Sequence, residues 1–283
     1  MTPPLSGFSF VRNAIKYGYP VAEALRSVAP LVGELIVAVG QSEDDTLALV
    51  RGLGIPHLRI IETVWDDSLR IGGHILAQQT NVALAECRHP WAFYIQADEA
   101  VHEQDYPRIT ASLARWADDP GVDALSFRFI HFEGTYAYIN KVRYRSQCRL
   151  IRNNGTLESV GDAAGFGRKD GSRLRTRDSG ASIYHYGWAR APELMRTKTL
   201  AFDRLWLDDD AVAKRWKDVP AEAFGQIDIA FRFRGTHPAV MKERIGAANW
   251  TVPPGRRPLL DTPLLNPRFY AAWLQKWHIL PRP

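Results

Sequence analysis

The sequence predicts an α/β fold: a mixed, mostly parallel sheet flanked by helices, followed by a helical carboxyl-terminal extension. Through the first third of the chain, short apolar runs alternate with helical patterns, an order typical of parallel strands joined by crossover helices. Beyond about residue 120 the strand-like segments alternate apolar and polar residues, and we expect them to extend the same sheet in mixed orientation. From residue 192 onward the sequence becomes helical and rich in aromatic residues and prolines.

The elements of the first third follow from local signals. Apolar runs predict strands at residues 8–11, 34–39 and 58–61, and from residue 91. Helices are predicted from residue 20, from residue 46 to about 54, and from about residue 74 to 86. Pro20 suits a first helical turn, Thr46 can cap a helix, and Gly54 can end one.

The later elements rest on alternation. In residues 123–129, Leu125, Phe127 and Phe129 share one face, and residues 144–151 and 181–186 also look extended. Residues 269–277 fit an amphipathic terminal helix. We expect residues 1–190 to form one domain with halves near 1–100 and 101–190, and residues 191–283 to pack on it as a helical region.

Composition narrows the function classes. The chain is 46% hydrophobic and 24% charged, which is ordinary for a globular protein, and its net charge is +5. Basic residues are scattered, so we expect no nucleic-acid partner, although the charge suits anionic small molecules or lipid head groups. Without a secretory signal or an apolar run of membrane-spanning length, the chain is expected to be cytoplasmic, with peripheral contact at the inner membrane surface as an open alternative.

An acidic strand end is the most informative local feature. The apolar residues 91–95 lead directly into Gln96-Ala97-Asp98-Glu99. In open α/β sheets, ligands bind beyond the carboxyl ends of the strands, and carboxylates there suit a divalent cation that holds a phosphate-bearing substrate. The alternative is a strand followed by a solvated acidic turn.

Several further motifs occur in a fixed order along the chain. They are Arg12-Asn13, the turn at residues 39–46, the helix Gln79-Thr80-Asn81-Val82-Ala83-Leu84, Gln96-Ala97-Asp98-Glu99, Arg149-Leu150-Ile151-Arg152, Asp162 and His185-Tyr186. This order resembles family 2 glycosyltransferases with the GT-A nucleotide-diphospho-sugar fold, and more narrowly the bacterial subgroup related to lipopolysaccharide-core and β-1,4-glucosyltransferases. Two positions depart from the family pattern, since Gly40 and Gln96 stand where aspartates are usual.

The resemblance implies a metal-dependent, inverting transfer of a sugar from a nucleotide-diphosphate donor to a hydroxyl of a glycan or glycolipid acceptor. It implies that Asp98 and His185 bind Mn²⁺ or Mg²⁺ and that residues 1–100 form the nucleotide-sugar half. Asp162 is the predicted catalytic base, with His131 and Glu133 as rivals. The predicted donor-binding residues are Arg12, Asn13, Asp67, Asn81, Gln96 and Arg190.

Each assignment has a simpler alternative. Asp162 fits a turn aspartate that bonds its own backbone, and His185 fits a buried imidazole within a strand pair. Arg196 and Lys198 fit a solvated helix face as well as they fit diphosphate binding, and Trp65 and Trp188 fit core packing as well as stacking. The competing function is a non-catalytic nucleotide-sugar-binding scaffold of the same fold. A nucleotidyltransferase ranks last, because residues 8–14 lack a glycine-rich phosphate loop.

Overall fold

A computed structural model of the chain describes residues 4–220 and 230–252. The strands are β1 (Leu5–Val11), β2 (Glu34–Gly40), β3 (Leu58–Thr63), β4 (Trp91–Tyr94), β5 (Glu99–Val101), β6 (Ala124–Asn140), β7 (Ser146–Arg152), β8 (Leu157–Val160), β9 (Gly165–Arg168), β10 (Thr176–Ala189) and β11 (Phe231–Arg232). The α-helices are α1 (Val21–Val28), α2 (Thr46–Arg51), α3 (His74–Ala85), α4 (Tyr106–Trp116), α5 (Pro192–Asp203), α6 (Asp209–Trp216) and α7 (Lys242–Gly246).

One large mixed sheet organises the fold. Its strand order is β3-β2-β1-β4-β7-β6-β10-β5, and β11 pairs with β6. The strands β3, β2, β1 and β4 run parallel, β10 runs parallel to β6, and β7, β5 and β11 join antiparallel. The predicted α/β class with a mixed sheet is therefore confirmed, and β8 pairs with β9 in a separate hairpin.

Helices cover both faces of this sheet. Leu35, Val37 and Val39 of β2 belong to a core cluster that contains the buried residues of α1 and α4. Ile36 and Ala38, the alternate residues of β2, belong to a second cluster with α3 and the β8–β9 hairpin. Because both faces are buried, β2 is an almost continuous apolar run instead of an alternating one.

Several elements, among them β5, α4, the β8–β9 hairpin and β11, were not predicted from the sequence. The helix α4 buries Ile109 and Leu113, and its partly buried Tyr106 and Trp116 pack against the same core, so an apolar stripe at helical spacing is present in this segment. The strands of the hairpin β8–β9 have 4 residues each, which gives too short an alternation to recognise in the sequence. The strand β11 lies in the stretch predicted to be helical. The predicted helix at residues 269–277 lies outside the described residues, and the division of the chain at residue 190 stays a prediction.

Asp123 carries a prediction about acid stability. Its buried carboxylate accepts bonds from Nε and Nη2 of Arg175 at 2.8 and 2.7 Å and from Nη1 of Arg168 at 2.9 Å. The Arg175 hydrogen bonds hold the pKa of Asp123 at about 2. We expect Asp123→Asn to lower the free energy of unfolding at neutral pH by about 1–3 kcal/mol, the usual range for hydrogen bonds to a charged group.

The sign of the pH dependence follows from the lowered pKa of Asp123. A carboxylate with a lowered folded-state pKa stabilises the fold fully above about pH 5 and progressively less as the pH falls toward 2. Denaturant unfolding at several pH values should therefore show the gap between wild type and Asp123→Asn closing below pH 4. The exposed Asp118 supplies the control, since Asp118→Asn should leave the midpoint nearly unchanged. A gap that persists unchanged at pH 2 contradicts the prediction.

Candidate functional site

Asp98 and His185 come together although they are far apart in sequence. Asp98 follows β4 at the carboxyl rim of the parallel strands, and its carbonyl oxygen accepts a bond from the Tyr186 amide at 2.7 Å. That bond and the pairing of β10 with β5 bring His185 Nε2 to 3.7 Å from Asp98 Oδ1. Both side chains are buried. The two predicted metal ligands therefore lie side by side in the folded chain.

A chain of hydrogen bonds fixes the tautomer of His185. His131 Nε2 lies 2.8 Å from the Tyr144 carbonyl oxygen, and His131 Nδ1 lies 2.9 Å from His185 Nδ1. Burial lowers the pKa of His131 to about 4 and that of His185 well below its ordinary value, so both rings are neutral. A carbonyl only accepts, so His131 donates from Nε2 and accepts at Nδ1. His185 then donates from Nδ1 and presents the lone pair of Nε2 toward Asp98.

Lys198 completes this group of side chains. It is 8% exposed, and its Nζ lies 3.3 Å from Asp98 Oδ2 and 2.7 Å from the Gly187 carbonyl oxygen. Burial first and the charge of Arg190 second lower the pKa of Lys198, Asp98 opposes both, and the net result is a pKa of about 7. Burial also opposes ionisation of Asp98, yet the positive charges of Lys198 and Arg190 and the hydrogen bond from Lys198 hold the pKa of Asp98 at about 2. Asp98 is thus a buried carboxylate surrounded by positive charge.

Gly187 permits this close approach. The register between β10 and β6 shifts between His185 and Trp188, which brings the backbone at residue 187 against the site. A Cβ atom on Gly187 would lie 2.6 Å from His185 Nε2 and 2.8 Å from Asp98 Oδ2. Any larger residue would therefore push the two side chains apart.

The predicted divalent metal can be tested against this donor set. Within residues 4–220 and 230–252, no three His, Cys, Asp or Glu side chains come together to hold a metal ion. Asp98 and His185 offer one carboxylate and one imidazole nitrogen, while the other oxygen of Asp98 is held by an ammonium group. Magnesium and manganese prefer about six mainly oxygen ligands. The side chains present are therefore too few to hold Mg²⁺ or Mn²⁺ by themselves.

Three predicted donor-binding residues lie at the ends of β1 and β3. Arg12 donates from Nε to the Gln41 carbonyl oxygen at 3.0 Å, its Nη1 lies 3.9 Å from Asp67 Oδ1, and its guanidinium lies 5.2 Å from the centre of the Trp65 ring. Asn13 has a positive φ of 54°, and its Oδ1 accepts a bond from the Glu43 amide at 2.7 Å. Arg12, Asn13 and Asp67 therefore gather at one rim.

Trp65 occupies the space that a side chain at position 40 would need. A Cβ atom on Gly40 would lie 2.3 Å from Trp65 Nε1. That indole nitrogen is buried and has no hydrogen-bond partner among the described residues. An indole N–H therefore lies beside position 40, where the resemblance implies an aspartate, and it is a donor where a carboxylate would accept.

The remaining predicted residues have specific contacts. Asn81 on α3 bonds both backbone groups of Ser159, at 2.7 and 3.1 Å, and so ties the β8–β9 hairpin to the helix. Gln96 donates from Nε2 to the Ala163 carbonyl oxygen at 3.0 Å and so holds the hairpin turn beside the end of β4. Asp162 lies in that turn, where its Oδ1 accepts a bond from the Ala164 amide at 3.2 Å. The predictions for these three residues stay predictions.

Arg190 is 2% exposed and follows β10 directly. Its Nη1 donates to the Tyr17 carbonyl oxygen, and its guanidinium lies 5.0 Å from the centre of the Tyr19 ring. Among the described residues, Nε and Nη2 have no partner. Burial lowers the pKa of Arg190, while Tyr19 and Asp98 oppose that shift. Arg190 therefore adds positive charge beside Asp98.

The two rivals for the catalytic base are already engaged. The ring nitrogens of His131 contact His185 and the Tyr144 carbonyl oxygen. The Glu133 carboxylate accepts a bond from Asn140, and its Oε1 lies 3.4 Å from Arg143 Nη2. Asp162 keeps one carboxylate oxygen outside its turn bond. This favours Asp162 over its rivals without testing it.

A buried ion pair joins two of the motifs. Arg149 donates from Nε and Nη2 to the two carboxylate oxygens of Glu99 at 2.8 and 2.7 Å, and both side chains are fully buried. Arg149 Nη1 also donates to the Ala164 carbonyl oxygen at 3.0 Å. The pair therefore fixes the residues after β4 against the hairpin turn that carries Asp162.

Sequence reasoning gave too little weight to Lys198. The solvated-face alternative is right for Arg196, which is exposed, and wrong for Lys198, which is buried. A signal was present: Lys198 follows the buried Met195 by three positions and precedes the partly buried Phe202 by four, and residues at this spacing share one helix face.

Comparisons with known proteins were made at three levels. No protein-family model matches the chain, and the search of curated proteins finds no match. Among solved structures, S. aureus TarS 1-349 in complex with UDP is 15% identical, with 76% of this chain and 66% of that chain covered at a TM-score of 0.43. A mannosyltransferase from Pyrobaculum calidifontis in complex with GDP-Man and Mn²⁺ is 21% identical, with coverage of 45% and 36% and a TM-score of 0.34.

A third similar structure is glucosyl-3-phosphoglycerate synthase from Mycobacterium tuberculosis in complex with Mg²⁺ and UDP. It is 18% identical, with 45% of this chain and 44% of that chain covered at a TM-score of 0.32. The chain thus spans less than two thirds of each of these three structures. At such low identity and TM-score these likenesses establish no shared activity, so the function has to be argued from this chain's own residues. In the part of the chain that the structure describes, no helix combines the length and apolarity needed to cross a bilayer.

Proposed function

We propose that this chain is a glycosyltransferase of the GT-A type that moves a sugar from a nucleotide-diphosphate donor to a hydroxyl of a glycan or glycolipid acceptor. The observation that carries the proposal is the convergence of Asp98 and His185, 3.7 Å apart at the carboxyl rim of the parallel strands. Motifs that the sequence separates by most of the domain meet there, as expected for a ligand site of an open α/β sheet.

The charge of the site supports a diphosphate leaving group. Transfer of the sugar leaves negative charge on the departing diphosphate, and a fixed positive charge stabilises that charge best in a site with little water. Lys198 and Arg190, both nearly buried, lie beside Asp98. A divalent metal, if bound, would supply the same electrostatic stabilisation. Donor binding and its predicted dependence on a metal are therefore tested separately.

Asp162 is the proposed catalytic base. A carboxylate can take the proton of the acceptor hydroxyl as the new bond forms at the sugar, and attack from the face opposite the leaving group inverts the anomeric centre. The bond from Gln96 to Ala163 holds the turn of Asp162 next to the strand end that leads to Asp98. This placement supports Asp162 as a base that lies close to the departing diphosphate.

Arg12, Trp65 and Asp67 are proposed to frame the nucleotide. The guanidinium of Arg12 lies against the Trp65 ring, and Trp65 Nε1, which has no hydrogen-bond partner within residues 4–220 and 230–252, offers a donor beside Gly40. A nucleobase carbonyl is a suitable acceptor for such an indole N–H. Asn13 supports this rim through its bond to the Glu43 amide.

The direct test is a panel of nucleoside diphosphates and their sugars, each with and without Mn²⁺. A ligand at a hundredfold excess over its dissociation constant should raise the free energy of unfolding by about 2.7 kcal/mol, measured as a thermal shift. Asp98→Asn should lose that shift, because it removes the carboxylate around which Lys198 and His185 gather. Asp118→Asn, an exposed control, should retain it. If no member of the panel stabilises the wild type, with or without Mn²⁺, the proposed function is wrong.

The second candidate function is a nucleotide-sugar-binding scaffold without turnover. Gln96 and Gly40 motivate it, because both replace residues that are usual in active members of the family. Binding in the panel without any release of nucleoside diphosphate from a sugar nucleotide would favour this alternative. The acceptor, a cytoplasmic location and peripheral contact with the inner membrane surface stay predictions of the sequence.

A further inference from the structure

We propose that Lys198 takes the cation position of this site, so that the chain's own ammonium group stands where the resemblance implies a divalent metal. The identity of the anion it holds, a nucleoside diphosphate, rests on the proposed function. The position of the cation does not, because it can be tested with the metal alone.

The acceptors of the site gather where a cation is needed. Asp98 and His185 are buried, with Asp98 Oδ1 and His185 Nε2 3.7 Å apart, and a buried carboxylate needs a positive charge close to it. Lys198 supplies it, with Nζ bonded to Asp98 Oδ2 and to the Gly187 carbonyl oxygen. An ammonium group has three donors, and among the described residues these are its two hydrogen bonds. The third N–H is available to a ligand oxygen.

Aromatic rings hold the ammonium group in this position. Nζ lies 5.2 Å from the centre of the Trp188 ring and 5.4 Å from that of Tyr19, both within the range of cation–π attraction. Trp188 lies on β10 and Tyr19 precedes α1, so two separate parts of the chain contact Lys198 on α5. These ring contacts therefore hold the Lys198 side chain at a defined position in the site.

The same arrangement disfavours a divalent ion. A metal that bound the carboxylate of Asp98 would meet the repulsion of an ammonium already in contact with that group. Gln96, which stands at the first position of the acidic motif, is an amide, and its Nε2 is directed to the Ala163 carbonyl oxygen. The chain has thus lost a negative charge at Gln96 and holds a positive one at Lys198.

The first experiment uses Mn²⁺ alone as the probe, with calorimetry on the full chain. Wild type should bind Mn²⁺ weakly, and Lys198→Met should bind it about 10- to 100-fold more tightly, because the variant frees Asp98 and His185 and removes the repulsion. Arg196→Met, an exposed position on the same helix, should match wild type. Tight Mn²⁺ binding by wild type, or equal affinity in Lys198→Met, would overturn the proposal.

The second experiment measures nucleoside diphosphate binding in EDTA and in Mn²⁺. Wild type should bind with the same dissociation constant in both, within about threefold. Lys198→Met should bind about 10- to 100-fold more weakly in EDTA and recover with Mn²⁺, while Lys198→Arg should stay insensitive to EDTA. Loss of wild-type binding in EDTA overturns the proposal.

Two further outcomes of these experiments also test the position of Lys198. If Lys198→Met fails to fold, the Mn²⁺ affinity of wild type and its response to EDTA still test the lysine. If no nucleoside diphosphate binds under any condition, the proposed function fails, while the Mn²⁺ measurements still decide whether Lys198 occupies the cation position.

Discussion

Arg149→Met is expected to lower the free energy of unfolding by about 3–5 kcal/mol, the usual result of removing one partner from a buried ion pair. Glu99 and Arg149 are both fully buried and joined by two hydrogen bonds of 2.7 and 2.8 Å. The variant leaves the Glu99 carboxylate without its guanidinium and also removes the bond to the Ala164 carbonyl oxygen. Denaturant unfolding measures the loss directly.

Two companion variants identify the cause of this loss. Arg51→Met breaks an exposed ion pair with Glu62 and should change stability by less than about 1 kcal/mol. Glu99→Leu combined with Arg149→Met should recover part of the loss, since replacing both partners removes the unpaired charge. An Arg149→Met variant as stable as wild type would show that the pair contributes little to the fold.

Asp162→Asn is expected to reduce turnover by about 10²- to 10⁴-fold, the usual contribution of a positioned general base. Asparagine keeps an oxygen that can accept the Ala164 amide bond, so the hairpin turn should retain its shape. Nucleotide binding should stay unchanged, because the variant leaves Asp98 and Lys198 intact. The measurement is the release of nucleoside diphosphate from the sugar nucleotide that the thermal-shift panel identifies.

Glu158→Gln is the matched control for this prediction. Glu158 lies on β8 in the same hairpin, and its replacement should leave turnover within about twofold of wild type. Wild-type turnover in Asp162→Asn would assign the base elsewhere. Glu133 would then be the next candidate, although Arg143 and Asn140 already engage its carboxylate.

Local patterns predicted much of the fold. The strands β1 to β4 were recognisable because parallel strands buried on both faces are short apolar runs, and β2 shows this most clearly. The helices α1 and α3 began at the predicted residues within one position. The helix α4 was missed although its core-facing residues recur at helical spacing, namely Tyr106, Ile109, Leu113 and Trp116.

The alternation of strands and helices and the place of Asp98 at a strand end follow from local sequence, because apolar periodicity is a local property of the chain. The sequence could nominate His185 only by resemblance. Three contacts are visible only in the folded chain. They are the ion pair of Lys198 with Asp98, the hydrogen bond between His131 and His185, and the ion pair of Arg149 with Glu99. These contacts join residues on separate elements, and their geometry depends on strand order and register, which local patterns do not encode.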